Sequence, residues 1–292
     1  MHVNLSVRGS TIRKCVLSMF ARFANVPVII HLHSGRFPEF YHGLPRWAQS
    51  AVRQMFYGAA RVIVPGKIWE DMLVRELGVP RDNIMVLPNA VAEPSHRPHR
   101  RPGTECRIAM LGRMGPAKGI PELMEALTSP TMRDLPWHII MAGDGDVDTY
   151  RRDAVARGID GKVSIVGWLG TAAVAELLAS SDILVLPSRS ENLPVSVIEA
   201  LSYGVAVVTT PVGAIPEIVE DEVSALLVPV MDPAALATAL SRLVSDPQLR
   251  QRIGHAGYGA FLARLEIGKC AQTLAEVYDS LMQGNAVTSD AA

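Results

Sequence analysis

The sequence predicts an α/β protein of two doubly wound domains, the first of them incomplete. Short apolar runs alternate with helical patterns along the chain, the signature of β-α units around parallel sheets. A stretch rich in proline and arginine, "AEPSHRPHRRPG" over residues 92–103, splits that alternation into two series and reads as an interdomain linker. With 292 residues, 49% of them hydrophobic, the chain is long enough to fill two cores.

In order, the expected strands before the linker are "HVNLSV", "VPVIIHL", "RVIVP" and "NIMVLP", with helices around 11–24, 45–57 and 67–77. This first domain covers 1–95. The second, over 104–265, offers "CRIAMLG", "WHIIMAG", "VSIVG", "DILVLP", "VAVVTT" and "SALLVP", enough for a complete six-stranded sheet. After Asp232-Pro233 the pattern is purely helical to about Gln283. A helix over 266–283 is expected to pack back on the first domain, and "GNAVTSDAA", 284–292, reads as a frayed tail. Because the chain opens directly in a strand, the far edge of "HVNLSV" is uncovered, a liability that folded proteins hide. Either residues are missing from the N-terminus or something else, such as a partner chain, covers that edge.

A formal net charge of −1 gives no global pull towards nucleic acid, but the charge is uneven. No Asp or Glu precedes Glu39, while Arg8, Arg13, Lys14, Arg22 and Arg36 are cationic. A helix around Arg13, Lys14 and Arg22 suits anionic lipid or a phosphorylated acceptor, and equally a solvated face. The same start fits a transit peptide, but "VPVIIHLHSG" follows at once and continues the pattern as a buried strand should. Cys15, Cys106 and Cys270 form no C-x-x-C pair and read as core residues of a reducing compartment. No apolar run approaches the ~18 residues of a membrane span, so a cytoplasmic protein is expected, either free or at most resting peripherally on the inner face of the membrane.

Ligands of doubly wound sheets sit outside the carboxyl ends of the strands. There "LGRMGPAKGI" offers Arg113 and Lys118 around a turn that opens a helix at about Gly119, a setting for a diphosphate or for two solvated cations. "MAGDGD" has Gly143 and Gly145 for a tight turn. "PSRSENLPVSVIEALSYGVAVV" places Glu191 at the sheet mouth, ahead of a helix that Pro194 starts, and Glu199 at the border of that helix's apolar face. Glu191 as an electrostatic cap and Glu199 as a solvated residue is the plain alternative. His31 and His33, two apart on a strand, point the same way. They could form half of a metal site, yet no third ligand is evident.

"GRMGPAKGIPELMEAL", "MAGDGD", "KVSIVGWL" and above all "PSRSENLPVSVIEALSYGVAVVTTPVGAIPEIV" resemble the donor-binding half of retaining family 4 (group 1) glycosyltransferases, which have the GT-B fold of two Rossmann-like domains and a Glu-x(7)-Glu pair, here Glu191 and Glu199. "HVNLSVRGSTIRK", "VPVIIHLHSG" and "RVIVPGKIWEDMLVRELGVPRDNIMVLPNAV" resemble the later part of that family's acceptor domain. The resemblance implies that Arg113 and Lys118 bind the donor diphosphate, with Gly112 and Gly143 beside them. Glu191 would touch the transferred sugar, backbone amides of Asn192 and Leu193 sugar and phosphate, and Glu199 the ribose hydroxyls. Leu169 belongs to the segment that packs on the base, and His33 faces the transferred sugar. The implied partners are a nucleotide sugar and a glycan, lipid-linked or small-molecule acceptor, with no protein-bound metal. The family's glycine-rich loop after the first strand has no match here. A non-catalytic nucleotide-sugar binding or regulatory subunit is therefore the rival expectation.

Overall fold

The computed structural model describes residues 1–96 and 105–289, with side chains to Gln283. The chain divides into two compact units: Met1–Asn89 with Glu191–Leu193 and the residues from Ile267 onward, and Ala90–Ser190 with Pro194–Glu266. Most of the expected linker lies outside the described residues.

The first unit runs β1 (His2–Leu5), α1 (Gly9–Phe23), β2 (Ile29–Leu32), α2 (Phe37–His42), α3 (Arg46–Tyr57), β3 (Arg61–Val64), α4 (Lys67–Met72, continuing as a π-helical turn to Leu77) and β4 (Ile84–Val86). Its four strands are parallel in the order β1-β2-β3-β4. Alternation along each strand gives the sheet two apolar faces. Ile30, Leu32, Val62 and Val64 pack with Phe37, Phe56 and Leu73 on one. Ile29, Ile63 and Leu87 form the other. Among the described residues, β1 is an edge strand that pairs with β2.

The second unit comprises β5 (Cys106–Leu111), α5 (Ile120–Leu127), α6 (Pro130–Arg133), β6 (Trp137–Ala142), α7 (Val147–Ala156), β7 (Val163–Gly167), α8 (Thr171–Ser180), β8 (Ile183–Leu186), α9 (Val195–Ser202), β9 (Ala206–Thr209), α10 (Ile215–Ile218), β10 (Leu226–Leu227), α11 (Pro233–Ser245) and α12 (Pro247–Arg264). Its six parallel strands lie in the order β10-β9-β8-β5-β6-β7. From β5 the chain winds one way to β7, then returns to β8 on the other side of β5 and winds to β10. The reversal opens a crevice at the carboxyl ends of β5 and β8.

The helices start where local chemistry dictates. Asp232 and Asp246 cap α11 and α12, accepting from backbone N–H groups of Ala235 and of Gln248 and Leu249. Gly119 and Pro194 stand just outside α5 and α9 rather than inside them. Gly119 has a left-handed φ of 71°, and Pro194 is extended, with ψ at 124°.

The last helix, α13 (Ile267–Ser289), returns to the first unit. Its Val277, with Cys270, Leu274 and Leu281, covers the face formed by Ile29, Ile63 and Leu87. It runs beyond Gln283, where the sequence pattern places a frayed tail, and Asp290–Ala292 lie outside the described residues.

Phe261 is fully buried and anchors α12 in the second unit. Phe261→Ala should cost about 3–5 kcal/mol, read as a lower denaturant midpoint in circular dichroism.

Candidate functional site

In a parallel sheet every strand-to-helix loop leaves at the same edge. In the second unit these loops are bound together through glycine. The Gly112 N–H donates to the Ala142 carbonyl at 3.0 Å, Met114 N–H to Asp144 at 2.6 Å, Asp146 N–H back to Met114 at 3.0 Å, and Gly143 N–H to Gly167 at 2.7 Å. Arg189 N–H reaches the Ala117 carbonyl at 3.0 Å, so the loop after β8 joins the loop after β5. Two contacts permit no side chain. A Cβ on Gly143 would sit 1.9 Å from the Gly112 oxygen, and one on Gly119 1.9 Å from the Pro187 oxygen. Their φ values of 157° and 71° also favour glycine.

On this frame stand two cations expected from the sequence. Arg113 lies in solvent, 71% exposed, 3.4 Å from the Asp144 carboxylate. Lys118, half-buried, lays its aliphatic stem over Gly112, with Cδ and Cε 3.6 Å from where a Cβ would stand. Leu169, two residues after Gly167, is half-buried. Glu199 sits in α9, half-buried, and burial pushes its pKa up. Tyr203, one turn later, is pushed up too, by burial first and the Glu199 charge second.

A further pair escaped the sequence reading. Arg189 donates through Nε and Nη2 to Oε1 of Glu122, at 3.0 and 2.6 Å. Glu122 is buried in the first turn of α5, and its Oε2 meets no partner among the described residues. The pair ties the loop after β8 to α5. Its only local signal is a carboxylate inside the apolar window "IPELMEAL".

Glu191, Asn192 and Leu193 group with the first unit instead. The Asn192 side-chain amide donates to the Leu32 carbonyl at 3.3 Å, and that of Asn89 to the Leu193 carbonyl at 2.7 Å. Gly35 abuts the same segment: a Cβ there would fall 2.4 Å from the Glu191 oxygen. His33 follows Leu32, and its Nε2 shares a 2.9 Å hydrogen bond with the Asn4 side-chain amide. Behind His33, the rings of His31 and His2 follow at centroid spacings of 4.1 and 5.6 Å, and His2 Nδ1 shares a 2.6 Å hydrogen bond with the Tyr278 hydroxyl. Burial is the first cause that lowers all three histidines; the N-terminal ammonium adds to it at His2, and neighbouring histidines add to it at His31 and His33, so that His31 falls to about 3. The structure thus gathers Gly112, Arg113, Lys118, Gly143, Leu169 and Glu199 in the second unit, and His33, Glu191, Asn192 and Leu193 in the first. Among the described residues, no group of three or more His, Cys, Asp and Glu could hold a metal ion. No helix among them is long and apolar enough to cross a membrane.

Two outcomes follow from these contacts. His31 is neutral in the native state and takes a proton on unfolding below its ordinary 6.5. Its contribution is therefore complete above pH 6.5 and is lost as pH falls towards about 3. Melting temperature should already drop between pH 6.5 and about 5, above the main carboxylate range, and His31→Leu should flatten that segment. An unchanged slope in the variant would count against the assignment. Arg189→Ala leaves the Glu122 carboxylate unanswered and should cost roughly 1–3 kcal/mol in denaturant unfolding.

Comparison with known proteins agrees with this architecture. Residues 91–260 match the model of the glycosyl transferases group 1 family, and residues 10–90 that of the glycosyl transferase 4-like domain. The chain is 25% identical over 286 residues to the alpha-D-kanosaminyltransferase of Streptomyces kanamyceticus, covering 89% of this chain and 72% of that protein. It is 28% identical to the amylovoran biosynthesis glycosyltransferase AmsK of Erwinia amylovora, over 61% of this chain and 46% of the relative. Among solved structures, HepE of Anabaena in complex with UDP superposes with a TM-score of 0.80 at 19% identity, over 96% of this chain and 78% of that one. The fold is GT-B, with two Rossmann-like units. With a group 1 match across more than half its length, the chain belongs to the group 1 glycosyl transferases.

Proposed function

We propose that the protein transfers a sugar from a nucleoside diphosphate donor to an acceptor hydroxyl, on a glycan, a lipid-linked molecule or a small molecule, with retention of anomeric configuration. The observation that carries this reading is the glycine-packed cradle at the carboxyl edge of the second sheet, with Arg113 and Lys118 on it. Family membership and the UDP bound to HepE support it.

In this reaction the bond from the anomeric carbon to the phosphate oxygen breaks, and a bond to the acceptor oxygen forms. The acceptor proton passes to the departing phosphate. Negative charge collects on the diphosphate as the sugar becomes oxocarbenium-like, and Arg113 and Lys118 stabilise it. The Arg113–Asp144 pair is solvent-exposed and weak, so a phosphate displaces Asp144 at little cost. Ribose hydroxyls donating to Glu199 restore to its carboxylate the stabilisation that burial removes. Glu191 contacts the transferred sugar, the amides of Asn192 and Leu193 approach sugar and phosphate, and Leu169 packs by its backbone on the base. His33, aligned by its hydrogen bond to Asn4 and held neutral by burial, faces the transferred sugar. No resident metal enters the scheme.

The test is calorimetry with a panel of nucleoside diphosphate sugars, followed by NMR of the product anomer. Lys118→Ala and Glu199→Ala should each weaken donor binding by about 1.5–3 kcal/mol, the worth of a charge-assisted hydrogen bond. Unchanged affinity in both overturns the site. Saturable binding with neither hydrolysis nor transfer points instead to a non-catalytic nucleotide-sugar binding subunit.

A further inference from the structure

The first long helix of the chain is turned inside out. At 3.6 residues per turn, Met19, Ile12, Phe23, Val16 and Phe20 of α1 share an arc of about 100°, and every one of them is exposed. Phe20 is 63% and Phe23 80% accessible. The arc that faces the core carries Thr11, Ser18 and Ala21 instead. Thr11 satisfies its hydroxyl on the Ser6 carbonyl at 2.7 Å, whereas the Ser18 hydroxyl meets no partner among the described residues. Beside the stripe, a groove of about 560 Å³ opens between α1 and α3, floored by Cys15, Val16, Met19, Phe23, Ala51 and Met55. Trp47, one turn before Ala51 on α3, is 76% exposed. A soluble surface seldom displays so many large apolar side chains together without an occupant.

The charge around this face says what the occupant is. The first 57 residues hold seven Lys and Arg against Glu39 alone, a net charge of +6 in a chain whose total is −1. Arg13 borders the apolar stripe and Arg22 borders the groove. A second copy would bring the same cations against themselves, because a two-fold interface presents one patch twice. A surface that is apolar below and anionic above answers both properties at once. We propose that α1 and the exposed edge of α3 seat on an anionic lipid bilayer, with Phe20, Phe23 and Trp47 entering the acyl boundary and Arg13 and Arg22 among the phosphate headgroups.

Flotation of the full chain with vesicles decides the matter. Vesicles of equal parts phosphatidylcholine and phosphatidylglycerol should carry the protein upward, pure phosphatidylcholine should not, and high salt should release it. A Phe20→Glu, Phe23→Glu double variant should bind the mixed vesicles at least tenfold more weakly with an unchanged melting temperature, since both side chains lie in solvent. Arg13→Gln should cost about fivefold. Failure to float, equal binding to neutral vesicles, or undiminished binding by the double variant would each overturn the proposal. So would concentration-dependent self-association in light scattering that the double variant abolishes. If the double variant does not fold, the lipid and salt comparisons on the natural chain still give the answer.

Discussion

The close approach of backbone to backbone at the carboxyl edge of the second sheet is the constraint from which the candidate donor site follows. Parallel strands send every loop to one edge, and there the loops compete for the same space. Gly143 lets the turn after β6 rest on the Gly112 carbonyl, and Gly119 lets the turn before α5 rest on Pro187. Neither position has room for a methyl group. Once the loops are locked, Lys118 lies along Gly112, and Arg189 reaches both Ala117 and Glu122. Charged groups held this way lose little further freedom when they meet a ligand.

Much of this was legible in the chain. Strands buried on both faces appear as unbroken apolar runs, and both strand counts follow from them. Glycine pairs and loop cations could be placed because the doubly wound topology fixes which end of each strand carries chemistry. What the pattern could not supply was long-range. Arg189 and Glu122 are 67 residues apart, and nothing local marks either as the other's partner. Glu191 lies on the same continuous segment as Glu199, yet its neighbours Asn192 and Leu193 bond to Leu32 and Asn89. The orientation of α1 was equally hidden. Its cations stand out in the sequence, but periodicity alone would turn Ile12, Val16 and Phe20 inward, whereas the core receives Thr11 and Ser18.

The two candidate clusters use opposite electrostatic means. In the second unit, Arg113 stands in solvent, where it can trade Asp144 for another anion, and Lys118 stands half in it. In the first unit, three imidazoles lie in a row and are desolvated, so that none carries charge near neutrality and only orientation and hydrogen bonding remain to them. Asn4 at one end and Tyr278 at the other hold that row in place.

The return of α13 to the first unit has a consequence for biosynthesis. Translation completes every residue from Ala90 to Glu266 before the helix that shields Ile29, Ile63 and Leu87 has been made. The nascent protein therefore exposes that sheet face while the second unit is already able to fold, so the N-terminal part, first to leave the ribosome, is the last to be finished.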